Sequence, residues 1–312
     1  MGDSIYLDNS FITDVGFGHI RQWLSEQSRC EENHNYFISL KPTYDKNYLN
    51  NEFKFSDELV KSLHRKENLP HDRVGQINKI LLSLNIKEEF LDIEEIVELK
   101  SLLYYFITIK KKVKGNHFKL WGSKLKSSDI PTSILKKIES IIDDNNKIKN
   151  NASKELGKII KSIDRIYKEI DKKINLELKK YSKLGYLKEN KIIYRADKVT
   201  LPVIASFKNK VKGIVDGFSA TKKTYFIEPL SLVELNNELN DHFSEKKKEI
   251  RKILKKLTSD ISEDKNLVDD IYMAIKYYDI HYTIAMLAVK LDAIIPKFSD
   301  KILLKNSINP LF

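Results

Sequence analysis

Between residues 156 and 181, apolar side chains recur at steps of three or four: Leu156, Ile160, Ile163, Ile166, Ile170, Ile174, Leu178 and Tyr181. That spacing lays one apolar stripe along a straight helix, with lysine over much of the remaining surface. The pattern returns in Leu232, Leu235, Leu239, Phe243, Ile250, Ile253, Leu254 and Leu257, with no proline inside it. Two helices of roughly 25 residues reach on the order of 40 Å at 1.5 Å per residue. A narrow stripe on each is covered most economically if the two pair antiparallel.

Between these helices the period changes. Segments 192–196, 198–206, 211–216 and 224–228 are short and rich in β-branched and aromatic residues, with Asn190, Asn209 and Gly217 as turn signals. Pro202 makes the second segment an edge strand or places a bulge there. Outside the arm the chain reads as globular helix, first over 17–30 and then, after the loop 40–43, over 91–113. The last of these has Asp92, Glu94 and Glu95 at its start and Lys110, Lys111 and Lys112 at its end, complementing the helix dipole. Residues 122–131 (GSKLKSSDIP) read as a connection, and 271–294 are apolar nearly all round and must be buried.

The fold class is therefore mainly α: a helical core with a long antiparallel two-helix arm capped by a small antiparallel β subdomain. The expected boundaries are 1–130 for the first part of the core, 131–190 for the ascending helix and 191–230 for the sheet. The descending helix takes 231–260 and the second part of the core 261–312. Holding a separate lobe on an arm has weak reason for stability, so reaching a distant partner is its expected use.

Composition narrows the function classes. Charged residues reach 32% of the 312, and Gly and Pro number only 10 and 7, which suits long exposed helices. A net charge of +11 fits a polyanionic partner such as DNA, RNA or anionic lipid. Lysine outweighs arginine and Asn and Ile are abundant, as an AT-rich coding sequence would produce, so charge alone shifts the odds modestly. Cys30 is the single cysteine, which excludes an internal disulfide and zinc-finger spacing and reads as a buried thiol. No run of about 18 uncharged apolar residues exists, and the start MGDSIYLDNS is no secretory signal. A cytoplasmic protein without a membrane partner is expected.

Catalytic chemistry is not legible. The seven histidines show no metal-ligand spacing, and His281, inside an apolar helix, reads as a satisfied core histidine. Asp143-Asp144 and Glu94-Glu95 fit helix starts or exposed faces, and no nucleophile has a placed base. Gly16-x-Gly18 lacks a third glycine, and the only Gly-Lys pair, Gly157-Lys158, has Ala152 where a phosphate-binding loop begins with glycine. No catalytic residue, metal or cofactor is expected in this chain.

The sheet is where binding chemistry gathers. Its cations are Lys191, Arg195, Lys198, Lys208, Lys210, Lys212, Lys222 and Lys223, interleaved with Tyr194, Phe207, Phe218, Tyr225 and Phe226. Strand alternation would put cations on one face and apolar residues on the other, and lysines contact phosphates without reading sequence. The competing reading is a solvated face of a lysine-rich protein, with the aromatics as the sheet's small core.

Residues 195–239, RADKVTLPVIASFKNKVKGIVDGFSATKKTYFIEPLSLVELNNEL, resemble the clamp region of the MutS family, particularly the second-type MutS proteins. The matching words are Leu201-Pro202-Val203, Gly213-Ile214-Val215, Ser219, Thr224, Phe226-Ile227-Glu228-Pro229 and Asn236-Asn237-Glu238-Leu239. One departure is Lys222, where the family has glycine: either the positive-φ turn is reshaped, or the lysine adds a phosphate contact. More weakly, residues 17–45 resemble the family's opening helix pair, 91–103 its next helix, and Asn309-Pro310-Leu311-Phe312 the segment before its ATPase domain.

The resemblance implies a core domain, lever helices and a clamp that closes on duplex or branched DNA. It also implies an ATPase domain after Phe312, with ATP and Mg bound there and not in this chain. The full-length protein would be a homodimer and an ATPase, and this chain a monomer. The alternatives are a ribosome- or RNA-associated factor and a protein-interaction scaffold.

Overall fold

The computed structural model describes residues 15–86, 89–126, 129–195 and 198–311. In chain order the helices among them are α1 (Phe17–Gln27), α2 (Glu31–Ile38), α3 (Lys46–His64), α4 (Ile77–Ser83), α5 (Ile93–Lys112), α6 (Lys119–Lys126) and α7 (Thr132–Ile141). Then follow α8 (Lys154–Lys183), the strands β1 (Ile193–Arg195), β2 (Lys198–Ile204), β3 (Gly213–Phe218) and β4 (Thr224–Pro229), and the helices α9 (Val233–Ser262) and α10 (Lys265–Lys290). The chain divides into two units, Met1–Glu139 with Leu257–Phe312, and Ser140–Lys256.

The first unit is helical. At the start of α5, Asp92 accepts from the Glu95 N–H at 2.8 Å while the Glu95 carboxylate accepts from the Asp92 N–H at 3.0 Å. This capping box satisfies two of the helix's orphan donors. Helix α10 runs through the core with Tyr272, Ile275, Tyr278 and His281 buried. It stops at Lys290, four residues short of the expected end, because Asp292 turns into the left-handed region at φ 49°. Ile294, expected inside the helix, is 89% exposed.

The expected connection 122–131 is also corrected. Its first half belongs to α6, because Trp121 and Leu125 lie one turn apart and are both buried. The Glu58 carboxylate accepts from the Leu120 and Trp121 N–H groups and caps that helix. Residues 127 and 128 of that stretch lie outside the described residues.

The second unit holds α8, the sheet and α9 as far as Lys256. Ser153 starts α8 by accepting from the Leu156 N–H at 3.0 Å. The buried stripe is Leu156, Ile159, Ile163, Ile166, Ile170, Ile174 and Tyr181, so Ile159 takes the place expected for Ile160. Each fully buried isoleucine contributes about 1.5–3 kcal/mol. Between α8 with its cap and α9 with the turn before it, Ser153 meets Glu249, Arg165 meets Glu238, and Glu177 meets Ser231. Numbers rise on one helix as they fall on the other, so the pair is antiparallel.

The sheet is antiparallel throughout, in the order β1-β2-β4-β3. Val199, Leu201, Val203 and Ile227 turn to one side and join the α8 and α9 stripe in a single core with Tyr181 and Leu232. Pro202 lies inside β2, where its C=O accepts from the Lys188 N–H at 2.8 Å, on the side away from β4. Its missing N–H faces that same outer side, so the β2–β4 ladder loses no bond. Ala196, expected as the end of a strand, lies outside the described residues.

Candidate nucleic-acid interface

Three of the eight candidate cations are held in ion pairs. Lys191 pairs with Glu189. The Arg195 guanidinium lies 3.3 Å from Asp216 and 4.4 Å from the Phe226 ring centre. It rests against Gly217, where a Cβ would sit 3.0 Å from its Nη2. Asp216 is the extra residue of a bulge between Val215 and Gly217, which aims its carboxylate at these cations.

Lys198 lies 3.0 Å from Glu228, itself 1% exposed, and 4.0 Å from Asp216. Asn236 donates to the other Glu228 oxygen at 2.9 Å and accepts from the Val199 N–H at 3.4 Å. Residues of two matching words, Phe226-Ile227-Glu228-Pro229 and Asn236-Asn237-Glu238-Leu239, thus form a buried polar tie between the sheet and α9. Their chemistry was not legible in sequence, because the partners are up to 37 residues apart.

The other five lysines lie outside the strands, so strand alternation does not orient them. Lys208 and Lys210 follow the short turn Ala205–Phe207, Lys212 precedes β3, and Lys222 and Lys223 sit in the β3–β4 turn. All five are exposed, and among the described residues no carboxylate pairs with any of them. The Ala205 N–H bonds to the Lys223 carbonyl at 3.1 Å, which brings two of these turns side by side.

Aromatic faces position the ammonium groups: Lys208 lies 4.8 Å from the Tyr225 ring centre, Lys210 5.5 Å from Phe207 and Lys222 5.6 Å from Phe218. Phe207 and Tyr225 pack partly against the sheet's core, as expected. Tyr194 and Phe218 do not, being 57% and 52% exposed.

The β3–β4 turn is not reshaped by its lysine. Lys222 adopts the left-handed conformation at φ 55°, and the turn closes through Lys222 N–H to Ser219 O and Ser219 N–H to Thr224 O, both 2.8 Å. A non-glycine residue there costs on the order of 1 kcal/mol. Glycine is required at Gly213 for another reason, since a Cβ would stand 2.3 Å from the Glu228 carbonyl oxygen.

The two units differ sharply in charge. Ser140–Lys256 carries 28 of the 55 Lys and Arg and 16 of the 44 Asp and Glu, a net +12 that leaves −1 for the other unit. The positive field therefore belongs to the unit that contains the sheet.

Elsewhere the fold assembles a chain of polar groups that the sequence did not reveal. Ser56 Oγ lies 2.8 Å from His281 Nδ1, and His281 Nε2 lies 3.1 Å from Glu52. Ser56 and Glu52 are one turn apart on α3 and clasp a histidine of α10, so the group ties two core helices and keeps His281 satisfied, as expected. The His281 hydrogen bond, helped by the Tyr277 hydroxyl, outweighs burial, which opposes ionisation, and leaves the Glu52 carboxyl below its ordinary value. Among the described residues there is no cluster of His, Cys, Asp or Glu able to hold a metal ion, and no helix is long and apolar enough to cross a membrane.

No protein-family model matches the chain. Curated proteins do. Endonuclease MutS2 of Halothermothrix orenii is 25% identical over 275 residues, covering 84% of this chain and 34% of that protein. Endonuclease MutS2 of Lactococcus lactis subsp. lactis is 34% identical over 205 residues, covering 65% of this chain and 24% of its own length. For Endonuclease MutS2 of Leuconostoc mesenteroides the values are 25% over 286 residues, 88% and 35%. The chain spans about a third or less of the curated relatives it matches.

Proposed function

This chain is related to the MutS2 proteins of the MutS family, and we propose that it binds the phosphate backbone of duplex or branched DNA through the exposed lysine turns of its four-stranded sheet. The observation that carries the reading is the charge division: the unit with the sheet holds a net +12 and the remainder −1. Lys208, Lys210, Lys212, Lys222 and Lys223 make the contacts. Arg195 and Lys198, already paired with carboxylates, hold the sheet together, and Lys191, paired with Glu189 in the segment before β1, adds field with them.

In this reading the chain binds and does not catalyse. We place the nuclease named in its relatives, and the ATPase using ATP and Mg that the family resemblance implies, outside the residues this chain matches. Homodimerisation and a cytoplasmic location are proposed on the same relationship.

The test is a titration of the chain against a short fluorescent duplex and a four-way junction between about 50 and about 200 mM salt. Each phosphate contact adds about 0.9 to the slope of log affinity against log salt. Replacing Lys208, Lys210, Lys222 and Lys223 by Ala should lower that slope by as much as about 3.6 and weaken both substrates alike. Binding that ignores salt, or that survives in the variant with an unchanged slope, would sink the proposal. Tighter association with ribosomes than with either DNA would favour the RNA-associated alternative.

A further inference from the structure

Helix α8 carries a second cationic surface, on the side away from its buried isoleucines. Starting at Lys154, the outward positions at successive steps of four and three are Lys158, Lys161, Arg165, Lys168 and Lys172. The series passes through Leu176 and resumes at Lys179 and Lys183. All eight cations are exposed. The helix has five carboxylates, Glu155, Asp164, Glu169, Asp171 and Glu177, and none falls on this line.

The arrangement works against the isolated helix. Like charges three or four residues apart destabilise a helix by about 0.2–0.5 kcal/mol per pair, whereas interspersed carboxylates would stabilise it by as much. A solvated face needs no such segregation. Two of the eight find partners, Lys158 with Glu155 and Arg165 with Glu238. Among the described residues the other six have no carboxylate within ion-pair distance. The stripe runs from Lys154 to Lys183, about 43 Å at 1.5 Å per residue. Duplex DNA presents a phosphate on each strand about every 3.4 Å of axis, so that length faces more than one helical turn of polyanion.

We infer that the outer face of α8 is a second DNA-backbone contact surface, distinct from the lysine turns of the sheet. The inference rests on the reading of the chain as a DNA binder and extends it from the sheet to the helix. A rod crosses the strands of a duplex instead of following one, so one to four contacts are expected.

The experiment compares the full chain with a variant carrying Lys161→Gln, Lys168→Gln, Lys172→Gln and Lys179→Gln. Glutamine keeps helix propensity and removes the repulsion, so the variant's thermal midpoint should equal or exceed that of the parent. Against the same duplex at about 0.1 M salt, each lost contact lowers affinity about 8-fold and the salt slope by about 0.9. A loss of at least about 8-fold with a shallower slope is the expected result.

Unchanged affinity and slope overturn the inference. If the variant of the sheet turns loses binding while this one keeps it, the inference falls and the proposed function stands. If the parent shows no salt-dependent DNA binding, both fall. A defect confined to ribosomal RNA or to anionic vesicles, with DNA binding intact, also overturns it.

Discussion

Asp279, on α10, is 1% exposed and receives Ser28 Oγ at 2.6 Å, Arg29 N–H at 2.9 Å, Cys30 N–H at 3.2 Å and Asn33 Nδ2 at 2.8 Å. His71 Nε2 lies 2.8 Å from Oδ1, the oxygen that also accepts the Arg29 N–H. Burial opposes ionisation, but the hydrogen bonds from His71, Ser28, Arg29 and Asn33 outweigh it and hold the carboxyl below the ordinary aspartate value. A depressed folded pKa contributes stability above the unfolded value of about 3.9 and loses it as pH falls through the folded one. Acid unfolding below about pH 4 should therefore be shallower in Asp279→Ala than in the parent. Near neutral pH that variant should lose about 3–5 kcal/mol in urea unfolding, since several buried donors are left without an acceptor. An intact stability at neutral pH would show the carboxylate to be dispensable. Residue identity gave no hint of this role, because an Asp amid apolar helix positions looks like an interruption until residues some 250 positions away are folded against it.

At the scale of elements, local pattern was a good guide to where helices and strands lie and a poor one to which side chains they bury. The α8 stripe was read through Ile160, yet Ile159 is the buried neighbour, since a narrow stripe shifts by one residue with the direction from which α9 approaches. Gly122 looked like a break and sits in a helix held by Trp121, Leu125 and the Glu58 cap. Lys198, a candidate phosphate ligand, is also the counter-ion of buried Glu228, a partner that local pattern does not show. Lys198→Met should cost about 2 kcal/mol or more in unfolding experiments, somewhat below the range for a fully buried pair because the lysine is 33% exposed. Pairing it with Glu228→Leu should recover much of that loss. If both variants unfold like the parent, the ion pair contributes nothing to the tie between sheet and helix.

For the whole molecule, the segregation of charge predicts where salt sensitivity resides. The excised unit 140–256, with its own apolar core and net +12, should show the salt slope of the full chain for duplex DNA, because the remaining residues sum to −1. A slope that halves on excision would place part of the binding in the other unit. Sequence alone determined the helix and strand periods and the total charge, because the periods depend on neighbours within a few residues and the charge on composition. It also carried the lysine repeat along α8, visible as steps of three and four once the helix was drawn. Beyond the local pairs Lys191–Glu189 and Lys158–Glu155, only the tertiary structure decided which cations remain free, because the other carboxylates stand far off along the chain: 30 residues separate Lys198 from Glu228, and 73 separate Arg165 from Glu238. Coulombic attraction depends on distance through space, and folding sets that distance.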